Sequence, residues 1–382
     1  MALDAETRAQ LIDSVARFVR ERLVPIEDKV AREDRVPDDV IAEMRELGLF
    51  GLSIPAEFGG LGLSMEEEVL VCFELGRTSP AFRSVIGTNV GIGSQGIVMF
   101  GNDKQKDEWL PKIASGETVA SFCLTEPGAG SDAASLKTQA IRDGNDYVVN
   151  GTKRYITNAA RAGMFTLMAR TNPGNKGAGG ISAIIVPSNL KGITVGKPER
   201  KMGQQGAHIH DVIFENCRVP ADLMLGKEGE GFKVAMQVLD RGRIHIAAVC
   251  VGVAERLLAD AVRYANEREQ FGQRIAEFQL IQAMLAESKT EAYAARCMVL
   301  DAARQRDAGK PHSMEASCAK LFASEMVGRV ADRAVQIYGG SGYVTDYGVE
   351  RFYRDVRIFR LYEGTSEIQK LVIAKNLLRQ AG

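Results

Sequence analysis

Phe122-Cys123-Leu124-Thr125-Glu126-Pro127-Gly128-Ala129-Gly130-Ser131-Asp132 is where the chain changes character. It closes a short apolar run, Val119 to Leu124, that reads as a strand, and then breaks at once into glycine, proline and hydroxyl residues. Glycines let the backbone approach a ligand, and Thr125 and Ser131 add hydroxyl groups to the free N–H groups of such a loop. That chemistry suits a phosphate or the edge of a heteroaromatic ring.

Downstream of this break, from Thr118 to about Leu225, the texture is β-rich. Tyr147-Val148-Val149 and Tyr155-Ile156-Thr157 read as strands set off by Asp143-Gly144 and Asn150-Gly151 turns, and Ile181 to Val186 and Gly192 to Gly196 follow. The pattern predicts a compact antiparallel domain. Upstream, Leu11, Val15, Phe18, Val19, Leu23 and Ile26 trace one helical stripe. Pro37 starts a second helix that Gly48 ends, and Ser64-x-x-Glu67 caps a third. After Gly226-Lys227-Glu228-Gly229-Glu230-Gly231-Phe232, long helical patterns return at Val234–Asn266, Ala276–Arg306, Ser313–Tyr338 and Ser366–Gln380, which suit a four-helix bundle. The expected division is 1–117 helical, 118–226 a small β domain and 227–382 a bundle.

The chain has 382 residues, 45% hydrophobic and 25% charged, with a net charge of −1. That balance gives no electrostatic reason to expect nucleic acid as a partner. Six cysteines show no Cys-x-x-Cys spacing and lie mostly in apolar stretches, as reduced core thiols in the cytoplasm would. Of the histidines only His208 and His210 are close, with no cysteine near them, so no metal site is expected. No charged-then-apolar leader precedes Leu11 and no run approaches the roughly 18 apolar residues of a membrane span, so neither export nor membrane insertion is expected. Gly91-Ile92-Gly93-Ser94-Gln95-Gly96 fits the G-x-G-x-x-G fingerprint of dinucleotide folds. Its flanks are helical and no strand-helix repeat follows, so helix packing or a helix end is the expected use.

Near the C-terminus the chain reads Arg360-Leu361-Tyr362-Glu363-Gly364-Thr365-Ser366-Glu367-Ile368-Gln369. Glu363 precedes Ser366-x-x-Gln369, a capping-box pattern opening an amphipathic helix with Ile368, Leu371, Val372 and Leu378. It therefore lies on a tight connection. A carboxylate held there, between apolar residues and a helix start, can be partly desolvated and act as a proton acceptor.

Together with Lys153-Arg154-Tyr155-Ile156-Thr157-Asn158, these two segments closely resemble the acyl-CoA dehydrogenases, FAD enzymes that oxidise acyl-CoA thioesters. The resemblance covers essentially the whole chain, with the motifs in the family's order. It implies a mainly α fold made of an N-terminal helical domain, a small antiparallel β-barrel and a C-terminal four-helix bundle, with flavin between the barrel and the bundle. It also implies that Glu363 is the base for the α-proton and that its backbone N–H, with a flavin ribityl hydroxyl, polarises the thioester carbonyl. Some relatives carry the base on the bundle helix, at the position of Gly242, and glycine cannot serve. Arg243, in Asp240-Arg241-Gly242-Arg243, matches the family arginine near the base and the CoA.

Leu124, Thr125 and Ser131 match flavin contacts, and Thr157 matches the hydroxyl near flavin N5. Tyr155 stands where tryptophan is common. Arg268, Gln270 and Phe271 match a segment reaching the FAD of a neighbouring subunit, and Gln336 and Gly340 match an adenine-side contact, so a homotetramer is implied. Thr365 and Glu367 complete the flavin set. Ser131, Asp240, Arg243 and Gly364 are implied on the substrate side, and an electron-transferring flavoprotein as the acceptor.

Ala81-Phe82-Arg83-Ser84 places an arginine on the helix that, in the family, closes the far end of the acyl pocket. Phe-Arg-Ser resembles Tyr-Arg-Ser of glutaryl-CoA dehydrogenases, whose arginine holds a distal carboxylate, and a related arginine marks the 3-sulfinopropionyl-CoA desulfinases. The alternative is an outward-pointing Arg83 paired with Glu74. The expected activity is dehydrogenation of an acyl-CoA with a short, polar or anionic-ended acyl group. A redox-neutral lyase such as a desulfinase, or a non-catalytic flavin-binding relative, are the alternatives.

Overall fold

Residues 3–381 are described by a computed structural model. Helix α1 (Ala5–Phe18) opens the chain, and the predicted stripe runs on past it: Val15, Phe18, Val19 and Leu23 are all buried. The helix widens to a π-helical turn at Val19–Leu23 before Pro25, which has no N–H to give, and tightens over Val24–Ile26 into α2 (Glu27–Glu33). There follow α3 (Asp38–Glu46), α4 (Met65–Leu75), α5 (Pro80–Val90), α6 (Gln95–Phe100) and α7 (Asp103–Ala114). Ser64 and Glu67 form the expected reciprocal cap on α4. Gly91 ends α5 and Gly93 packs against β1, where a Cβ would lie 2.7 Å from Ala120 O, so the glycine fingerprint serves a helix-to-helix turn.

The central segment contains β1 (Val119–Cys123), β2 (Gln139–Asp143), β3 (Asp146–Thr157), β4 (Ala162–Arg170), β5 (Ile181–Pro187), β6 (Ile193–Val195), β7 (Ile209–Pro220) and β8 (Met224–Leu225). They form one sheet in the order β6-β7-β3-β2-β4-β5-β8, with β1 added to β4. The expected barrel is not closed, because the edge strands β6 and β8 do not pair with each other. Nor is the sheet wholly antiparallel: β1 and β2 both run parallel to β4. Asp143-Gly144 turns the β2–β3 hairpin as expected. Asn150-Gly151 does not turn the chain; it is a bulge inside β3, opposite β7, so two predicted strands are one.

Then come α8 (Gly231–Glu267), the short hairpin β9 (Glu269–Gln270) and β10 (Gln273–Arg274), α9 (Gln279–Asp307), α10 (Ser313–Tyr338), α11 (Val349–Asp355) and α12 (Ser366–Ala381). The bundle core is shared with α4, whose Met65, Val69, Cys72 and Phe73 pack with Val249, Ala295, Ala319 and Val327. Two glycines set how closely α4 and α8 cross: a Cβ on Gly252 would fall 2.2 Å from Phe73 O and 2.7 Å from Gly76 Cα. Cys72, Cys123, Cys217 and Cys250 are buried, whereas Cys318 is half-buried and Cys297 is exposed, so the core expectation fails for these two. No helix among the described residues is long and apolar enough to cross a membrane.

Candidate active site

Glu363 lies on the connection between a 3-10 turn at Val356–Arg360 and α12. It is left-handed at φ 53°, followed by Gly364 at φ 92°. Glycine accepts that region freely, whereas a glutamate there costs about 1–3 kcal/mol, a kind of strain that concentrates at functional sites. Three side-chain hydrogen bonds hold the loop. Lys320 Nζ donates to Gly364 O at 2.7 Å, and Gln369 Nε2 donates to Gly364 O at 3.0 Å and Glu363 O at 3.2 Å. The expected Ser366-x-x-Gln369 box is therefore absent: Gln369 is drawn back to the loop carbonyls, Ser366 Oγ donates to Glu325 at 2.6 Å, and Thr365 Oγ1 caps α12 by accepting from Ile368 N. Among the described residues the Glu363 N–H has no backbone acceptor.

The carboxylate occupies a space that a missing side chain provides. A Cβ on Gly242 would sit 2.1 Å from Glu363 Oε2, so a side chain at 242 and the Glu363 carboxylate exclude one another. Oε2 itself is sealed from solvent without a hydrogen-bond partner. Burial pushes the Glu363 carboxyl above its usual range, against the opposing pull of Arg83, Lys320 and Arg243. Lys320 is itself pushed down to about 8 by burial, with Cys250, Glu363 and Glu325 acting in the other direction.

Arg243 faces Asp240, with Nη1 to Oδ1 at 2.5 Å, and Asp240 also accepts from Ser313 Oγ at 3.1 Å, which ties α8 to the start of α10. Gly364 lies beside them, its Cβ position 3.7 Å from Arg243 Nη2. Glu363, Gly364, Asp240 and Arg243 are thus gathered in one place. Arg83 joins them from α5. It is buried, and the outward alternative is not formed, since Glu74 pairs with Arg77 at 3.1 Å.

The residues expected at the cofactor lie on neighbouring edges. The 125–131 loop is braced from below: buried Lys153 donates to Leu124 O at 3.0 Å and Glu126 Oε1 at 2.7 Å, while Glu126 accepts from the N–H groups of Lys137 and Thr138. Above that brace Ser131 is exposed, and a Cβ on Gly128 or Gly130 would meet nothing within 4 Å. Thr157 engages Ser121 only through its carbonyl, at 2.7 Å, which leaves the hydroxyl available. Tyr155 is exposed, at φ 59°, with the Arg154 guanidinium 5.6 Å from its ring centroid. An open glycine loop, unengaged hydroxyls and an exposed aromatic ring form a donor set that fits a flavin dinucleotide.

Other expected contacts lie on exposed or half-buried parts of the chain. Arg268, Gln270 and Phe271 sit on the β9–β10 hairpin with Phe271 95% exposed, and Gln336 and Gly340 are exposed at the end of α10. Thr365 is half-buried at the α12 cap, and Glu367 is exposed. Sequence reasoning passed over Lys320, His245 and Glu68, and took Gln369 only for a helix cap. Lys320 and His245 offered a signal, a polar residue on the buried stripe of an otherwise apolar helix.

The N-terminal, middle and C-terminal domain families of acyl-CoA dehydrogenases match residues 5–117, 121–217 and 229–378. The chain is 44% identical over 378 residues to an acryloyl-CoA reductase (NADH) of Anaerotignum propionicum, covering 98% of this chain and 95% of the relative. It superimposes on butyryl-CoA dehydrogenase from Megasphaera elsdenii with a TM-score of 0.95 at 36% identity, covering 99% of this chain and 100% of the other. A Bacillus anthracis acyl-CoA dehydrogenase complexed with FAD gives a TM-score of 0.92 at 34% identity, covering 99% of this chain and 68% of that one.

The Gly242 geometry leads to a direct test. Gly242→Ala should leave bound FAD unchanged but displace the Glu363 carboxylate, and a displacement near 1 Å slows a positioned reaction by about 10²-fold. Anaerobic stopped-flow reduction by an acyl-CoA measures this; a wild-type rate in Gly242→Ala would show that Glu363 does not work from the observed position.

Proposed function

The chain belongs to the acyl-CoA dehydrogenase family, and we propose that within it Glu363 takes the α-proton of a bound acyl-CoA thioester. The protein is an FAD-dependent oxidoreductase acting on CH–CH bonds of acyl-CoA thioesters. FAD, when bound, supplies the acceptor for the β-hydride. One observation carries the assignment of the base: Glu363 Oε2 is sealed without a partner in the space beside Gly242. A carboxylate short of hydrogen bonds and held above its usual pKa is a stronger base than a solvated one. The hold of Lys320 and Gln369 on this loop supports the Glu363 N–H as the donor to the thioester oxygen as negative charge develops there. Arg243, tied to Asp240, adds positive charge beside it.

A second reading concerns direction. The raised Glu363 carboxyl also suits proton delivery to Cα, the reverse step, and the Anaerotignum relative is named as a reductase. Both directions use the same group. Glu363→Gln should retain FAD and thioester binding but slow flavin reduction by about 10²–10⁴-fold. Since the base must be ionised, the wild-type rate should rise with pH through a midpoint above the ordinary carboxylate range, and Glu363→Gln should lose that limb. Near-normal reduction in the mutant would place the base elsewhere.

At the far end, the burial of Arg83 supports an acyl group that ends in an anion. A charge-assisted pair in a water-poor pocket is strong, and truncating one partner costs roughly 2–5 kcal/mol. Arg83→Ala should therefore lower the ratio of kcat/KM for glutaryl-CoA over butyryl-CoA, and an unchanged ratio would make Arg83 structural.

The 95% exposed Phe271 on its hairpin supports a subunit contact in a tetramer that also completes the FAD site. Loss of FAD and of the tetramer together is expected in Arg268→Ala by sedimentation and absorbance. If neither changes, the hairpin does not reach a neighbour's cofactor.

A further inference from the structure

Behind Arg83 runs a buried chain of polar groups that the reaction does not use. Arg83 Nη2 lies 3.2 Å from His245 Nδ1, and His245 Nε2 lies 2.7 Å from Glu68 Oε2. Arg241 pairs with the other oxygen of Glu68 and donates to Val90 O at 3.0 Å. Cys72 Sγ is 3.5 Å from the same Nδ1. His245 and Glu68 are 1% exposed, Arg241 3% and Arg83 9%. The α4–α8 crossing at Gly76 and Gly252 brings Glu68 and Cys72 to His245.

The chemistry of these partners leaves the imidazole one arrangement. Ionised Glu68 can only accept, so Nε2 carries a proton; a guanidinium can only donate, so Nδ1 presents its lone pair. An imidazolium would set N–H against N–H at Arg83. Burial agrees with this, pushing His245 down to about 4 although Glu68 acts the other way, while Arg241 and His245 hold Glu68 below the usual carboxylate range against its own desolvation.

The consequence falls on Arg83. Had Glu68 bonded Arg83 directly, the guanidinium would be neutralised and its donor fork filled. Instead Glu68 is matched by Arg241, and the neutral ring passes on orientation without charge. Among the described residues Arg83 has no carboxylate bonded to it, and its charge acts through space, first among the cations pulling Glu363 down. Gly87 makes room, since a Cβ there would lie 2.7 Å from Arg83 Nη1.

We propose that His245 is a positioning residue: held in its Nε2–H tautomer by Glu68, it presents Arg83 as an anchored guanidinium whose donor fork no carboxylate fills, and so sets the preference for acyl-CoA thioesters with an anionic acyl terminus. This rests on the reading of Arg83 as the partner of that terminus. A neutral anchor fixes the donor fork in advance, so less order is lost when the anion arrives.

The experiment uses holoenzyme and compares kcat and KM for glutaryl-CoA and butyryl-CoA in wild type, Arg83→Ala, His245→Leu and His245→Asn. His245→Leu removes the acceptor and should lower the glutaryl-to-butyryl kcat/KM ratio by about 10- to 100-fold, chiefly through KM for glutaryl-CoA. His245→Asn, whose Oδ1 stands near the place of Nδ1, should recover most of that ratio. If Arg83→Ala lowers the ratio and His245→Leu does not, the positioning role is overturned while the reading of Arg83 survives. If Arg83→Ala leaves the ratio unchanged, that reading falls and the positioning role with it. Should His245→Leu fail to fold, ¹⁵N spectra of histidine-labelled wild-type protein decide: Nε2–H imidazole at His245 from pH 6 to 8 is expected, and an imidazolium or Nδ1–H ring overturns the proposal.

Discussion

Arg83, Lys320 and Arg243 offset part of what burial costs the Glu363 carboxylate. Burying one ionised group without such company costs several kcal/mol, and the group protonates instead. Much of the surrounding architecture serves that balance. Gly242 gives the carboxylate its volume, the Gly76–Gly252 contact draws α4 onto α8, and Lys320 reaches from α10 to hold the loop by its carbonyl. The result holds the Glu363 carboxyl above its ordinary range, as suits a proton-transferring group.

The same economy of charge appears at Arg83. Glu68 is bonded to Arg241 and His245 and not to Arg83, although they lie within one hydrogen-bonded chain. Breaking such a buried pair at one partner costs about 3–5 kcal/mol, so these residues also contribute to holding α4, α5 and α8 together.

Much of the fold was legible because periodicity and punctuation agree over long elements: α8, α9 and α10 fall within a few residues of their expected spans, and Ser64 caps α4 as its pattern indicated. The sheet was less so. Asn150-Gly151 carries the residues of a turn but is accommodated as a bulge, because β7 continues past it on the other side. Ser366-x-x-Gln369 misled in the same way, since tertiary acceptors at Glu363 and Gly364 compete for Gln369. Glu363 could be singled out from its connection and its resemblance. His245 offered only a polar residue in an apolar run, and Glu68 offered nothing, because their pairing comes from a helix crossing that no local pattern records.

Proton transfer at Glu363 is tested most directly by exchange at the substrate's α-carbon. Holoenzyme, wild type or Glu363→Gln, would be incubated with butyryl-CoA in deuterated water without an electron acceptor, and α-deuterium followed by mass spectrometry. Incorporation by the wild type and its loss in a mutant that still binds FAD and thioester is expected. Incorporation at the wild-type rate in Glu363→Gln would contradict the assignment of the base.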